Sequence, residues 1–122
     1  MSEIIDGIKM PYEKIVLTSR EALAFTSGDT VQSFTINESS ATTHTIILEM
    51  PDFAGAVVTG TLSIKNVNGT EIYSNSGLAE NTTHVMSAVK PLVGLNTVKI
   101  TLSTDPLSSG TCYVSLYIKR RS

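Results

Sequence analysis

Apolar and polar residues alternate with a period of two along most of this chain, which is the pattern of strands that bury one face. The clearest case is "VVTGTLSIK", residues 57–65. One face carries Val58, Gly60, Leu62 and Ile64, and the other carries Thr59, Thr61, Ser63 and Lys65. The pair Asn68-Gly69 follows at once and favours a type I′ turn. Residues 61–67 and 70–75 are therefore predicted to form a β-hairpin.

A second hairpin is predicted at the end of the sequence, from residues 97–103 and 111–119, with "TDPLSSG" as its turn. In the last strand Cys112, Val114, Leu116 and Ile118 form an ordinary core face. Tyr113 and Tyr117 lie on the opposite face, where a solvated strand carries only polar groups. These two rings indicate that the second face is also covered, by the same chain, by another protein or by a sugar.

Further strands are predicted at residues 13–19, 30–36 and 44–50, with weaker ones near 23–26 and 83–87. Alternation fails within residues 30–36, and a bulge near Gln32 or Ser33 would explain it. The stretch "REALAF" is long enough for one helical turn but not for a stable helix.

The sum is seven to nine short, mostly antiparallel strands with turn signals between them, which is typical of an all-β, single-domain β-sandwich of jelly-roll-like form. We expect this domain to span residues 12–122, behind an N-terminal arm of residues 1–11. Ile4, Ile5, Ile8 and Met10 of that arm follow no strand pattern. They need cover, either from the domain itself or from a partner.

Composition narrows the classes of function. Only 16% of the residues are charged, the net charge is −2, and 31 of the 122 residues are Ser or Thr. A weakly charged, hydroxyl-rich surface is unlike that of a nucleic-acid-binding protein, which needs clustered Lys and Arg. No segment resembles a signal peptide or a membrane span, so we expect synthesis and folding in a cytoplasm, with neither nucleic acid nor membrane as partner.

Groups that could perform catalysis are scarce, so an enzyme is not expected, and neither is a cofactor or a metal. The two histidines, His44 and His84, belong to strand patterns and suit structural roles. Glu49 and Asp52 form the only close pair of acids in an apolar setting, and we expect them on a loop, as solvated groups rather than as loop caps or calcium ligands. Cys112 is expected to be a buried, inert thiol.

Two binding functions remain for the tyrosines. At i and i+4 on one strand they would be about 13 Å apart, a span that could stack two sugar rings, as in a carbohydrate-binding module. Tyrosine also packs well between sheets or between subunits.

The arm "MSEIIDGIKMPYEKIVLTS" and the hydroxyl-rich runs "TGTLSIKNVNGTEIYSN" and "LNTVKITLSTDPLSSGTCYVSLYIKR" resemble the small all-β virion proteins of tailed bacteriophages, in particular capsid decoration (cement) proteins. The resemblance implies a virion location, often as a homotrimer, where the protein bridges major capsid or other virion subunits and stabilises the shell. A tail or baseplate component would share this composition. The predicted partner-binding residues are Ile4, Ile5, Ile8, Met10, Tyr113 and Tyr117.

Overall fold

A computed structural model describes residues 13–38, 44–89 and 94–121 of the chain, a few strand ends by their backbone alone. These ranges contain eight strands and no helix. The strands are β1 (Glu13–Phe25), β2 (Val31–Glu38), β3 (His44–Met50), β4 (Thr59–Asn66), β5 (Glu71–Ala79), β6 (Thr82–Val89), β7 (Gly94–Leu102) and β8 (Gly110–Arg121).

The strands form two four-stranded antiparallel sheets, in the orders β1-β8-β3-β6 and β2-β7-β4-β5. The first strand pairs with the last, the second with the seventh, the third with the sixth, and the fourth with the fifth. This is the arrangement of one long hairpin rolled into two layers, which is a jelly roll. The predicted all-β, jelly-roll-like sandwich is therefore confirmed, with a strand count inside the expected range. The predicted second hairpin was wrong, because β7 pairs with β2 and β4 whereas β8 pairs with β1 and β3, so the loop between β7 and β8 crosses from one sheet to the other.

The hydrophobic core lies between the two sheets. It contains Leu48 and Val114 from the first sheet, Ile64 and Ile100 from the second, and Phe53 from the loop between β3 and β4. Cys112 is buried in this core, as predicted, and desolvation by burial raises the pKa of its thiol to about 12. The thiol is thus protonated and unreactive at neutral pH.

Strand β1 is longer than the sequence indicated, because the two predicted segments at residues 13–19 and 23–26 are parts of one strand. A bulge between Leu17 and Ser19 shifts the register against β8 and lets the strand continue. The stretch "REALAF" lies within it rather than forming a helical turn. Its residues alternate, with Leu23 and Phe25 buried and Ala22 exposed, so the period is that of a strand.

The prediction of a bulge near Gln32 or Ser33 was wrong. Strand β2 pairs with β7 in unbroken register, and Val31 faces outward with 49% of its surface exposed. The alternation failed there because one apolar side chain lies on the solvent face.

The hairpin between β4 and β5 is confirmed, but its turn is not of type I′. Asn68 does not have a positive φ, whereas Gly69 has φ +82°. The amide of Gly69 donates to the carbonyl of Asn66 at 2.9 Å, and the Asn66 side chain accepts from the amides of Asn68 and Thr70. The loop is therefore a type I turn followed by a left-handed glycine, and the side chain of Asn66 stabilises it.

The predicted arm of residues 1–11, including Ile4, Ile5, Ile8 and Met10, lies outside the described residues. The division into an arm and a domain of residues 12–122 therefore stays a prediction. Within the three described ranges, no helix is long and apolar enough to cross a membrane.

Candidate functional site

The two tyrosines lie on the outer face of the sheet β1-β8-β3-β6, because β8 alternates and turns Cys112, Val114 and Leu116 toward the core. Strand β8 is a central strand, with β1 on one side and β3 on the other. Both rings are half-buried. Ser115, which lies between them along the strand, is only 4% exposed.

An apolar strip crosses this face over all four strands. Leu17 of β1 is the register partner of Tyr117, and Ile47 of β3 is the register partner of both Ser115 and Val85 of β6. Leu17 is 49% exposed and Val85 64% exposed. We call the surface formed by Leu17, Ile47, Val85, Tyr113 and Tyr117 the tyrosine face.

Tyr113 is held by a charged cluster that spans three strands. The guanidinium of Arg20 on β1 lies 4.3 Å from the centre of the Tyr113 ring, a cation–π contact. The same guanidinium reaches Glu49 on β3 at 3.4 Å. Both charged side chains are almost half exposed, so the pair contributes little to stability, but it fixes the ring of Tyr113 against the sheet.

A shallow cavity of about 300 Å³ opens beside Tyr113 at one end of the tyrosine face. Its walls come from the ends of β3 and β8 and from the turn between β5 and β6. The lining includes Glu49, Asn81, Thr82, Thr83, Thr111 and Tyr113. The cavity thus combines one ring, one carboxylate and several hydroxyls, the kinds of groups that contact a sugar.

The loop between β3 and β4 that follows this cavity is held by the carboxylate of Glu80. One oxygen accepts the amide of Phe53 at 2.7 Å, and the other accepts the amide of Val58 at 2.9 Å. The amide of Asn81 also donates to the carbonyl of Pro51 at 3.0 Å. These bonds fix the wall of the cavity.

Two aspartates hold the other loops at the same end of the sandwich. Asp105 joins the loop between β7 and β8 to the loop between β1 and β2, and Asp29 closes the latter loop on itself. The Asp105 carboxylate accepts the amides of Gly28 and Leu107, and these two bonds, that of Gly28 first, lower its pKa. Asp29 accepts the hydroxyl and the amide of Thr26, which lowers its pKa as well. Their carboxylates serve as loop caps in this part of the structure.

Among the described side chains, no hydrogen bond or ion pair joins the candidate catalytic residues from the sequence to one another. Glu49 lies on strand β3 and not on a loop as expected, while Asp52 is exposed on the loop that follows. The ring of His84 bonds to the carbonyl of Ala79 at 2.8 Å, and the side chain of His44 is outside what the structure describes. Among the described residues, no group of three His, Cys, Asp or Glu side chains could hold a metal ion.

The alternation in the sequence placed Tyr113 and Tyr117 on one strand face but gave no indication of the residues beside them. Arg20, Ile47 and Val85 join the tyrosines only through the pairing of four strands that are distant in sequence. The exposed Val85 breaks the polar pattern of its strand face, and that signal could have been read from the sequence.

No family model and no curated protein matches this chain. Solved structures with a similar trace include the carbohydrate-binding module CBM36 in complex with calcium and xylotriose, at 18% identity and TM-score 0.43, over 91% of this chain and 99% of that one. VP2 of infectious bursal disease virus, in a subviral particle, is similar at 12% identity and TM-score 0.41, over 99% of this chain and 37% of that one. Dimeric latent PorU from Porphyromonas gingivalis is similar at 11% identity and TM-score 0.48, over 90% of this chain and 13% of that one.

The strand order of this chain places it in the structural class of jelly-roll β-sandwiches. The chain spans about a third of the VP2 chain and a smaller part of PorU. Its own surfaces, and chiefly the tyrosine face, are therefore the basis for a functional proposal.

Proposed function

We propose that this chain is a non-enzymatic structural protein of a virion, and that the tyrosine face docks on another virion protein. The observation that carries the proposal is the apolar strip from Leu17 through Tyr117 and Ile47 to Val85, which crosses a whole sheet on its solvent side. Connected apolar surface on an outer sheet face is a feature of protein interfaces.

The composition of the tyrosine face supports a protein partner. Tyrosine and arginine are the residue types that contribute most at interfaces, and here Tyr113 and Arg20 are already stacked before any partner binds. A ring that is held in place loses little conformational freedom on binding. The hydroxyl groups around the strip can form a polar rim.

The finer assignment is a capsid decoration protein of a tailed phage that acts as a homotrimer and bridges subunits of the major capsid protein. It rests on the sequence resemblance, as does the expected role of Ile4, Ile5, Ile8 and Met10 in pinning the arm to the shell. Deletion of residues 1–10 should then leave a folded domain that no longer binds particles. An unfolded truncated protein would contradict the arm assignment, and binding to tail but not to head particles would favour a tail or baseplate component.

The docking surface is tested by a charge placed on the strip. Val85→Lys should abolish co-sedimentation of the protein with virus particles. If the same face also joins copies of the chain, the substitution should lower the molar mass measured by light scattering. Val31→Lys is the matched control, because Val31 is a half-exposed valine on the opposite sheet. Equal behaviour of the two variants, with both still folded by circular dichroism, would refute docking through the tyrosine face.

A carbohydrate-binding module is the second candidate, favoured by the cavity of about 300 Å³ beside Tyr113. A sugar that stacked on this ring would compete with the guanidinium of Arg20, which already lies 4.3 Å from the ring centre. On a glycan array, a sugar site predicts that Tyr113→Ala loses binding and that Arg20→Ala retains or strengthens it. Absence of binding to any glycan by the wild-type protein would remove this candidate.

A further inference from the structure

The outer face of the other sheet, β2-β7-β4-β5, carries two lysines among hydroxyl side chains. Lys99 of β7 is the register partner of Ser33 on β2 and of Ser63 on β4. Lys65 of β4 is the register partner of Thr97 on β7. The two lysines are therefore diagonal neighbours on adjacent strands and point to the same side.

Neither lysine is neutralised by an acid among the residues whose side chains are described. Of the three cations in that set, only Arg20 forms an ion pair, with Glu49. Glu71 is the register partner of Lys65, yet no ion pair joins them. The two lysines carry the same charge on one side of the sheet, and a bound anion would supply the opposite charge near both.

A cavity of about 240 Å³ lies between these groups. Its lining includes Ser33, Ser63, Lys65, Asn66, Thr97 and Lys99. It is smaller than the roughly 300–1,000 Å³ of sites for drug-sized ligands, so it suits a small ion or a single sugar. Ser63 is 6% exposed and forms the floor of the cavity, next to Lys99 in the register.

We propose that this cavity binds a tetrahedral oxyanion, a phosphate or sulfate group, either as the free ion or as an ester on one sugar. The ammonium groups of Lys65 and Lys99 supply the opposite charge, and the hydroxyls of Ser33, Ser63 and Thr97 donate hydrogen bonds to the anion oxygens. The site is on the opposite sheet from the tyrosine face, so it is independent of docking through that face.

The test is an NMR titration of the full, ¹⁵N-labelled chain with sodium phosphate and sodium sulfate at constant ionic strength set by sodium chloride. Saturable shifts are expected at the amides of Ser63, Lys65, Gly69 and Lys99, with a Kd on the order of millimolar. Lys65→Gln and Lys99→Gln should each raise that Kd about tenfold.

The control is Arg20→Gln, which removes the third cation from the opposite sheet and should leave the Kd unchanged. Thermal unfolding checks the fold, and each lysine variant should unfold at about the same temperature as the wild type, because neither lysine forms an ion pair among the described side chains. Shifts that do not saturate, or that persist unchanged in the lysine variants, would overturn the site.

The source of the anion is resolved by comparing inorganic sulfate, N-acetylglucosamine 6-sulfate and uncharged N-acetylglucosamine. Tighter binding of the ester than of the ion assigns a sugar ester, and equal binding assigns the free ion. Equal binding of the uncharged sugar would refute an oxyanion site.

Discussion

The carboxylate of Glu80 holds the loop between β3 and β4 at two points, and its removal is expected to destabilise the fold more than an ordinary surface substitution does. It accepts the amides of Phe53 and Val58, at 2.7 and 2.9 Å, and so closes the loop. Both amides belong to residues whose side chains are buried in the core. Glu80→Ala removes the two bonds and leaves both amides without this acceptor.

The magnitude follows from the two bonds. A hydrogen bond to a charged group contributes about 1.5–3 kcal/mol, and the lower end applies here because Glu80 is only half-buried and water can partly replace it. Glu80→Ala should therefore lower the free energy of unfolding by about 3 kcal/mol. For a chain of 122 residues, this corresponds to a fall in Tm of about 10 °C.

Urea denaturation followed by circular dichroism measures the change as a shift in midpoint at constant m-value. Glu80→Gln has one carbonyl oxygen in place of two carboxylate oxygens, so it should keep one bond and cost about half as much. Glu71→Ala is the control, since Glu71 is exposed on β5, and it should change stability by less than about 0.5 kcal/mol. A cost of Glu80→Ala below about 1 kcal/mol would refute the role of Glu80 in closing the loop.

Three further changes test other parts of the fold. Asp105→Asn keeps an oxygen that accepts both backbone amides, but its side chain cannot titrate. Because the pKa of Asp105 is lowered in the folded protein, its stabilisation is present above about pH 4 and is lost as the pH falls through the folded pKa. A series of urea melts should therefore show that the variant loses less stability on acidification than the wild type. Gly69→Ala should cost about 1 kcal/mol because Gly69 has φ +82°, whereas Asn68→Ala should be nearly neutral by thermal unfolding. A double-mutant cycle of Phe25→Leu and Phe53→Leu should give a coupling of about 0.5–1.5 kcal/mol from their edge-to-face contact, with ring centres 6.2 Å apart.

Each of these has an outcome that contradicts it. If the free energy of unfolding of Asp105→Asn falls with acidification as steeply as that of the wild type, the loop bonds of Asp105 do not depend on its charge. A large loss of stability in Asn68→Ala would instead indicate a type I′ turn, in which residue 68 has a positive φ. Additive effects of the two phenylalanine changes would show that their contact adds nothing beyond burial.

The strands were predictable because burial follows local alternation, and β7 shows this most clearly, with Val98, Ile100 and Leu102 buried and the residues between them partly exposed. The failures came where tertiary pairing overrides the local pattern. "REALAF" has helix-forming residues, but β8 pairs with it along its whole length, so Leu23 and Phe25 pack in the core as strand residues do. The turn type at Asn68 depended on the side chain of Asn66, which captures two backbone amides.

The site was predictable only in part, for a geometric reason. Tyr113 and Tyr117 lie four residues apart on one strand, so the period of that strand shows that they share a face. The contact of Arg20 with Tyr113 and the pairing of Ile47 with Val85 depend on the order of strands in the sheet. Alternation within a strand carries no information about which strand lies beside it.

The pairing of β1 with β8 has a consequence for how the protein is made. Strand β1 ends at Phe25 and its partner β8 begins at Gly110, so 84 residues (26–109) separate the two strands. At about 5–20 residues per second, a ribosome needs roughly 4 to 17 seconds to synthesise this interval, and β1 waits that long for β8. A nascent chain stalled before residue 110 would leave β1 without β8 and would expose an unpaired strand edge, which is a site for aggregation.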